Sequence, residues 1–123
     1  MGNVVGCEAI TPVLDRGKQG VADGDLSAIA SAFTPDALFQ GMKPTFTIGR
    51  DRVKQCYSAQ APGLTVEYQL LHLRQLAADA VVVYLSATFR KKRGDLLQTR
   101  ITTILHYSED GWLIDHYHVS ALH

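Results

Sequence analysis

Apolar positions in the first half of the chain recur every three or four residues, and those in the second half alternate. Ile10, Val13, Leu14, Val21 and Ala22 share one face of a helix. Thr11-Pro12 fits that helix's N-cap and first position, with Cys7 to Ile10 as an irregular turn before it and Gly24 at its end. Residues 1 to 6 read as frayed. Gly17 and Gly20 fall inside the helix, each costing about 1 kcal/mol relative to alanine. Beside an apolar stripe, two glycines allow close backbone approach or leave space for a ligand. Asp25 caps a second helix, Leu26 to Phe33, which Thr34-Pro35-Asp36 breaks. Ala37 to Gln40 and the pair Phe46 and Ile48 read as short strands around a Gly- and Pro-containing excursion from Gly41 to Pro44. Gly49 leads into a third helix, about Arg50 to Ser58, with Val53, Cys56 and Tyr57 on one side.

After Ala61-Pro62-Gly63 the period drops to two. Leu64 to Gln75, Val81 to Phe89, Leu96 to Tyr107 and a C-terminal strand after Asp110-Gly111 form a meander. The pattern predicts a single α+β domain over residues 1–123, in which helices cover one face of a curved, mainly antiparallel sheet. In the last strand, alternation puts Trp112, Ile114, His116, His118 and Ser120 on one face and Leu113, Asp115, Tyr117 and Val119 on the other. In the strand before it, Leu96, Gln98, Arg100, Thr102, Ile104 and His106 oppose Leu97, Thr99, Ile101, Thr103 and Leu105. Period two does not choose which set faces inward. Both faces are substantially apolar, which predicts a partner, most economically a second copy in a homodimer.

Charge narrows the function classes. Twelve Lys and Arg balance twelve Asp and Glu, so no general attraction to nucleic acid or to an anionic membrane is expected. The run Arg90-Lys91-Lys92-Arg93 reads as a solvated hairpin tip. No stretch of about 18 apolar residues and no charged-then-apolar leader is present, and a cytoplasmic location is expected. Cys7 and Cys56 read as half-buried small hydrophobes in a reducing compartment.

The candidate chemistry lies on the last strands. If Trp112 looks inward, the face it begins runs from apolar residues to two imidazoles and a hydroxyl, as for a strand leaving a core and entering a pocket. His116 and His118 are about 6.5 to 7 Å apart along the strand and can address one ligand. The expectation is His118 as general acid/base and His116 assisting. Arg100 or Tyr84 then stabilises an enolate or alkoxide oxygen. A metal would need His72 or His106 as a third ligand from across the sheet, and none is expected. No redox cofactor is suggested, since no Gly-rich strand-turn-helix occurs.

Several segments resemble the NTF2-like and SnoaL-like superfamily, whose fold is a cystatin-like α+β cone. They are Gly24-Asp25-Leu26, Phe33-Thr34-Pro35-Asp36-Ala37-Leu38-Phe39, Gly49-Arg50-Asp51-Arg52-Val53 before Tyr57, Thr99-Arg100, and Asp110-Gly111-Trp112-Leu113-Ile114. The ending His116-Tyr117-His118-Val119-Ser120 is similar to the H-x-H-x-S ending of SnoaL-like domains and of the calcium/calmodulin-dependent kinase II association domain. The resemblance implies a deep pocket between helices and concave sheet, usually in homodimers, as in polyketide cyclases and ketosteroid isomerase. The position matching the steroid isomerase base is about Gly41, which carries no base, and the first helix has no tyrosine for that enzyme's oxyanion hole. The implied function is a cofactor-independent pocket enzyme of polyketide-type antibiotic biosynthesis. Its reaction would be cyclisation, isomerisation or elimination of an apolar, oxygenated small molecule. The alternatives are a non-catalytic binding protein for such a molecule and a homo-oligomeric assembly domain.

Overall fold

The computed structural model describes residues 4–60 and 62–122. The expected fraying of residues 1–3 lies outside them, as does Ala61. The elements run α1 (Cys7–Asp23), α2 (Leu26–Ser31), β1 (Phe33–Gln40), β2 (Thr47–Ile48), α3 (Arg50–Ser58), β3 (Thr65–Ala77), β4 (Ala80–Arg90), β5 (Leu96–Ser108) and β6 (Gly111–Ala121). The six strands form one sheet in the order β2-β1-β6-β5-β4-β3. All neighbours are antiparallel except β1 and β6, which pair in parallel. Helices from the N-terminal half pack on one face, giving an α+β cone of the NTF2-like type.

The helices start and stop for local reasons. α1 begins at Cys7, a turn and a half before the expected start, and Pro12 sits inside it. Proline there removes one helical N–H. Ile10, fully buried, holds the first turn against the core, and the Thr11 hydroxyl donates to the Cys7 carbonyl at 2.8 Å. Gly24, at φ 66°, ends α1 in the left-handed conformation that glycine adopts without strain. Asp25 caps α2 by accepting from the Ala28 N–H at 3.1 Å. α2 stops at Ser31 because Phe33 already belongs to β1, which continues through Thr34-Pro35-Asp36 with an irregular register between Phe33 and Leu38. Gly20 meets the first of the two uses open to a glycine in this helix. A Cβ there would lie 2.9 Å from Ile29 Cγ1 and 3.0 Å from the Ile29 nitrogen, so α1 and α2 cross in near-contact.

The core settles the face of β5. Thr99, Ile101, Thr103 and Leu105 are buried, as are Val81, Val83, Leu85 and Ala87 of β4. They meet Ile10, Val13 and Leu14 of α1, Ile29 of α2 and Val53 of α3. Each buried Val, Leu or Ile contributes about 1.5–3 kcal/mol. The two buried threonines satisfy their hydroxyls on neighbouring strands: Thr99 donates to the Ala87 carbonyl at 2.8 Å and Thr103 to the His116 carbonyl at 2.9 Å. Among the described residues no helix is long and apolar enough to cross a membrane.

Candidate functional site

The expected faces of β6 hold for only part of the strand. Leu105 stands opposite Ile114, but Ile104 stands opposite His116, so Asp115 is an extra residue, a β-bulge. Two bonds fix it: the Thr34 hydroxyl donates to Asp115 Oδ1 at 2.9 Å, and the Ile114 N–H donates to the Ala32 carbonyl at 2.8 Å. One inserted residue reverses the alternation. Beyond the bulge Tyr117 and Val119 are buried, while His118 and Ser120 are exposed and His116 is half-buried. The expected common face of Trp112, Ile114, His116, His118 and Ser120 is therefore broken at Asp115.

The structure does bring His118, His116, Arg100 and Tyr84 to one face, the face turned away from the helices. Tyr84, Thr102 and His118 are consecutive cross-strand partners, flanked by His72 and Gln40. Arg100 lies in a neighbouring row between Ser86 and Ser120. Its Nη1 donates to Ser86 Oγ at 3.5 Å and to the Thr99 carbonyl at 3.3 Å. His116 pairs with Ile104 and Leu38. Tyr84 and His118 stand two strands apart, roughly 10 Å at the usual strand spacing. None of the four lines the space beneath the helices.

That space is a cavity of about 60 Å³. Its walls are aliphatic and aromatic, from Leu14 and Val21 of α1 to Leu85, Ala87 and Ile101 of the sheet; Lys18, Tyr57, Tyr68 and Tyr117 bring the polar side-chain atoms. Gly17 forms part of the wall, and a Cβ there would touch only Ala32 at 4.0 Å. Gly17 thus leaves space where Gly20 allows contact.

Tyr117 stacks on Phe39 with ring centroids 5.0 Å apart, Phe33 meets both rings edge-on, and Tyr57 tilts against Phe39 at 6.0 Å. The Tyr57 and Tyr117 phenols are hydrogen-bonded to each other. Burial pushes the Tyr57 pKa up to about 12, partly offset by the Tyr117 hydrogen bond and helped by the Cys56 thiol nearby. Burial, then the charge of and bond to Tyr57, hold Tyr117 well above its ordinary value. At neutral pH both phenols are donors, not bases.

At the cavity's edge the Tyr68 hydroxyl donates to Asp15 Oδ1 at 2.6 Å, and Lys18 pairs with Glu67 at 3.0 Å. Burial first, then the Asp15 bond and charge, raise the Tyr68 pKa. α3 is tied to the start of β1 by Arg50, whose Nε and Nη2 donate to the Phe33 carbonyl at 3.0 and 2.6 Å. Among the described residues no group of three or more His, Cys, Asp or Glu side chains could hold a metal ion.

Read from sequence, Tyr57, Tyr68 and Tyr117 pass for amphipathic packing residues. A signal for Tyr117 was available: Trp112-Leu113-Ile114 interrupts the alternation, and the apolar residues that follow, Tyr117 and Val119, fall on the opposite parity from Trp112 and Ile114.

Solved structures with this architecture are numerous. A cystatin-like domain from Nostoc punctiforme PCC 73102 superposes with a TM-score of 0.82 at 14% identity, over 94% of this chain and 76% of that one. An NTF-2 like protein from Shewanella oneidensis MR-1 gives 0.81 at 18% identity, over 92% and 97%. A ketosteroid isomerase-like protein from Erwinia carotovora atroseptica SCRI1043 gives 0.74 at 18% identity, over 94% and 95%. At these identities the likeness is one of fold. No curated protein matches the chain significantly. The sequence profile of the SnoaL-like domain matches residues 10–123, nearly the whole chain, and the protein belongs to the SnoaL-like domain family.

Proposed function

We propose that the protein binds a compact, apolar, oxygen-bearing small molecule in the cavity between α1 and the concave sheet. Family membership and fold are compatible with cofactor-independent chemistry of the cyclase and isomerase kind. The observation that carries the binding reading is the cavity wall itself. It is hydrocarbon throughout, except for Lys18 and three tyrosines whose phenols stay protonated at neutral pH. Such walls favour an apolar body and orient it through one or two polar contacts. Gly17→Leu tests the reading by filling the cavity from α1. The variant is expected to lose the binding of phenol, followed by amide NMR shifts, while keeping its cooperative fold, because leucine is a better helix former than glycine. Phenol shifts that persist at Leu85 and Ala87 in the variant would exclude this cavity as the site.

A second reading, proton-transfer catalysis, is favoured by the short Tyr68–Asp15 bond at the cavity's edge. In it Asp15 is the base and the Tyr68 phenol supports the developing oxyanion. The expected sign is exchange of the α-hydrogens of cyclohexanone in D2O, lost in Asp15→Asn. Exchange no faster than in buffer excludes it for that ketone class. His118, His116, Arg100 and Tyr84 take a different part in this proposal. They belong to an outer sheet face on which half-buried Val82 and Ile104 and an exposed Tyr84 are suited to a second copy, in a homodimer. A monomer mass by light scattering removes that part.

A further inference from the structure

A pocket for a metabolite-sized ligand usually measures about 300–1,000 Å³, and the inner cavity alone falls well short of that. A second hollow of about 350 Å³ lies beside it. Val21, Ile29 and Tyr57 line both spaces, so the partition is one layer of side chains thick. We infer that the two hollows are the deep and outer subsites of one pocket divided by Tyr57. The pocket takes an elongated ligand, apolar at its leading end and carrying a hydroxyl or ammonium group at its trailing end. This rests on the reading that the inner cavity binds a ligand.

The two subsites differ in chemistry. The inner one is walled by hydrocarbon, phenols and the Lys18 side chain, which pairs with Glu67. The outer one is walled by Ala22 and Asp23 at the end of α1 and by Ser58 at the end of α3, with Gln60 beyond. Both helices therefore bring their C-terminal ends to it, the negative ends of their helix dipoles. The Asp23 carboxylate adds to that field; Gln19 Nε2 holds it at 3.0 Å. No lysine or arginine lines this hollow among the described residues. A carboxylate or phosphate would meet the Asp23 charge and the negative helix ends with no lining cation to offset them, whereas an ammonium or hydroxyl group would find acceptors. Tyr57 stands between the two environments on the last turn of α3 and is half-buried. It is the polar member of the partition. A straddling ligand must displace its ring or pass beside it, and meets its phenol midway.

Three probes separate the possibilities: phenol as the compact one, and 4-phenylbenzylamine and 4-phenylbenzoate as elongated ones of equal length and opposite charge. Amide NMR titrations of the full chain follow Leu85 and Ala87 for the deep subsite and Gly24 and Leu64 for the outer one. The amine is expected to shift both sets and to bind roughly tenfold tighter than the benzoate. Tyr57→Ala, which removes most of the partition, is expected to tighten the amine by about threefold or more. Val21→Ala thins the same partition without touching the Tyr117 hydrogen bond and should act in the same direction. It keeps the test open if the tyrosine variant does not fold. Equal affinity for amine and benzoate overturns the inference. So do amine shifts confined to Gly24 and Leu64, or an amine affinity that neither variant changes. If no probe, phenol included, moves Leu85 or Ala87, it is the underlying binding reading that fails.

Discussion

The two faces of the β4–β6 sheet are made by the same three strands, yet they hold opposite kinds of chemistry. The covered face is Val81, Val83, Leu85, Ala87, Ile101, Leu105, Tyr117 and Val119, and its polar atoms are neutral hydroxyls such as those of Thr99 and Thr103. The open face carries Arg100, His116 and His118 among Tyr84, Ser86 and Thr102. Burying a charge without a partner costs several kcal/mol, whereas a bonded phenol or hydroxyl can be buried at little cost. The ionisable groups are therefore sorted to the open side. The sorting depends on Asp115, because the bulge there decides which parity of β6 looks inward.

Deleting Asp115 should break the arrangement most severely. Without the extra residue one part of β6 must turn over, bringing either His116 and His118 inside or Leu113 and Ile114 out of register. A loss above about 4 kcal/mol is expected, seen as the disappearance of a cooperative urea transition. A midpoint close to that of the parent would mean the bulge is not what holds the faces. Next comes a matched pair of truncations one residue apart. Tyr117→Ala removes the ring stacked on Phe39 and should cost about 3–5 kcal/mol, while His118→Ala on the open face should stay within about 0.5 kcal/mol. Similar losses for the two would contradict the assignment of faces.

The smallest expected effect is alkaline. Folding raises the Tyr57 and Tyr117 pKa values above the ordinary 10.0, so their contribution to stability is complete below about pH 10 and is lost as pH climbs through about 12. The melting temperature should fall over that window, and less steeply in Tyr57→Phe. Parallel curves for parent and variant would show that the Tyr57 phenol is not linked to folding.

Much of the fold was legible because its signals are local and repeated. The periodicity of α1, the Asp25 cap of α2, the extent of α3 and the Asp-Gly turn before β6 each depend on residues close in sequence. The start of α1 was missed because burial of Ile10 against the sheet, a long-range effect, outweighs the penalty of Pro12. The candidate site was less legible. His116 and His118 draw attention as side chains, but their side of the sheet is set by Asp115, whose anchor, Thr34, lies far away in sequence on β1. The tyrosines around the cavity come from α3, β3 and β6, and only the closed cone brings them together.

Because β1 pairs in parallel with β6, the seam that closes the cone joins residues far apart in the chain, such as Phe33 with Ile114 and Gln40 with His118. On a ribosome, α1, α2, β1 and α3 emerge long before the strand against which β1 must lie. The Phe33 and Phe39 rings lack the Tyr117 ring that packs on them until translation reaches β6. Non-local closure of this kind is slow, and the nascent N-terminal half is the segment most exposed to premature association or to capture by a chaperone.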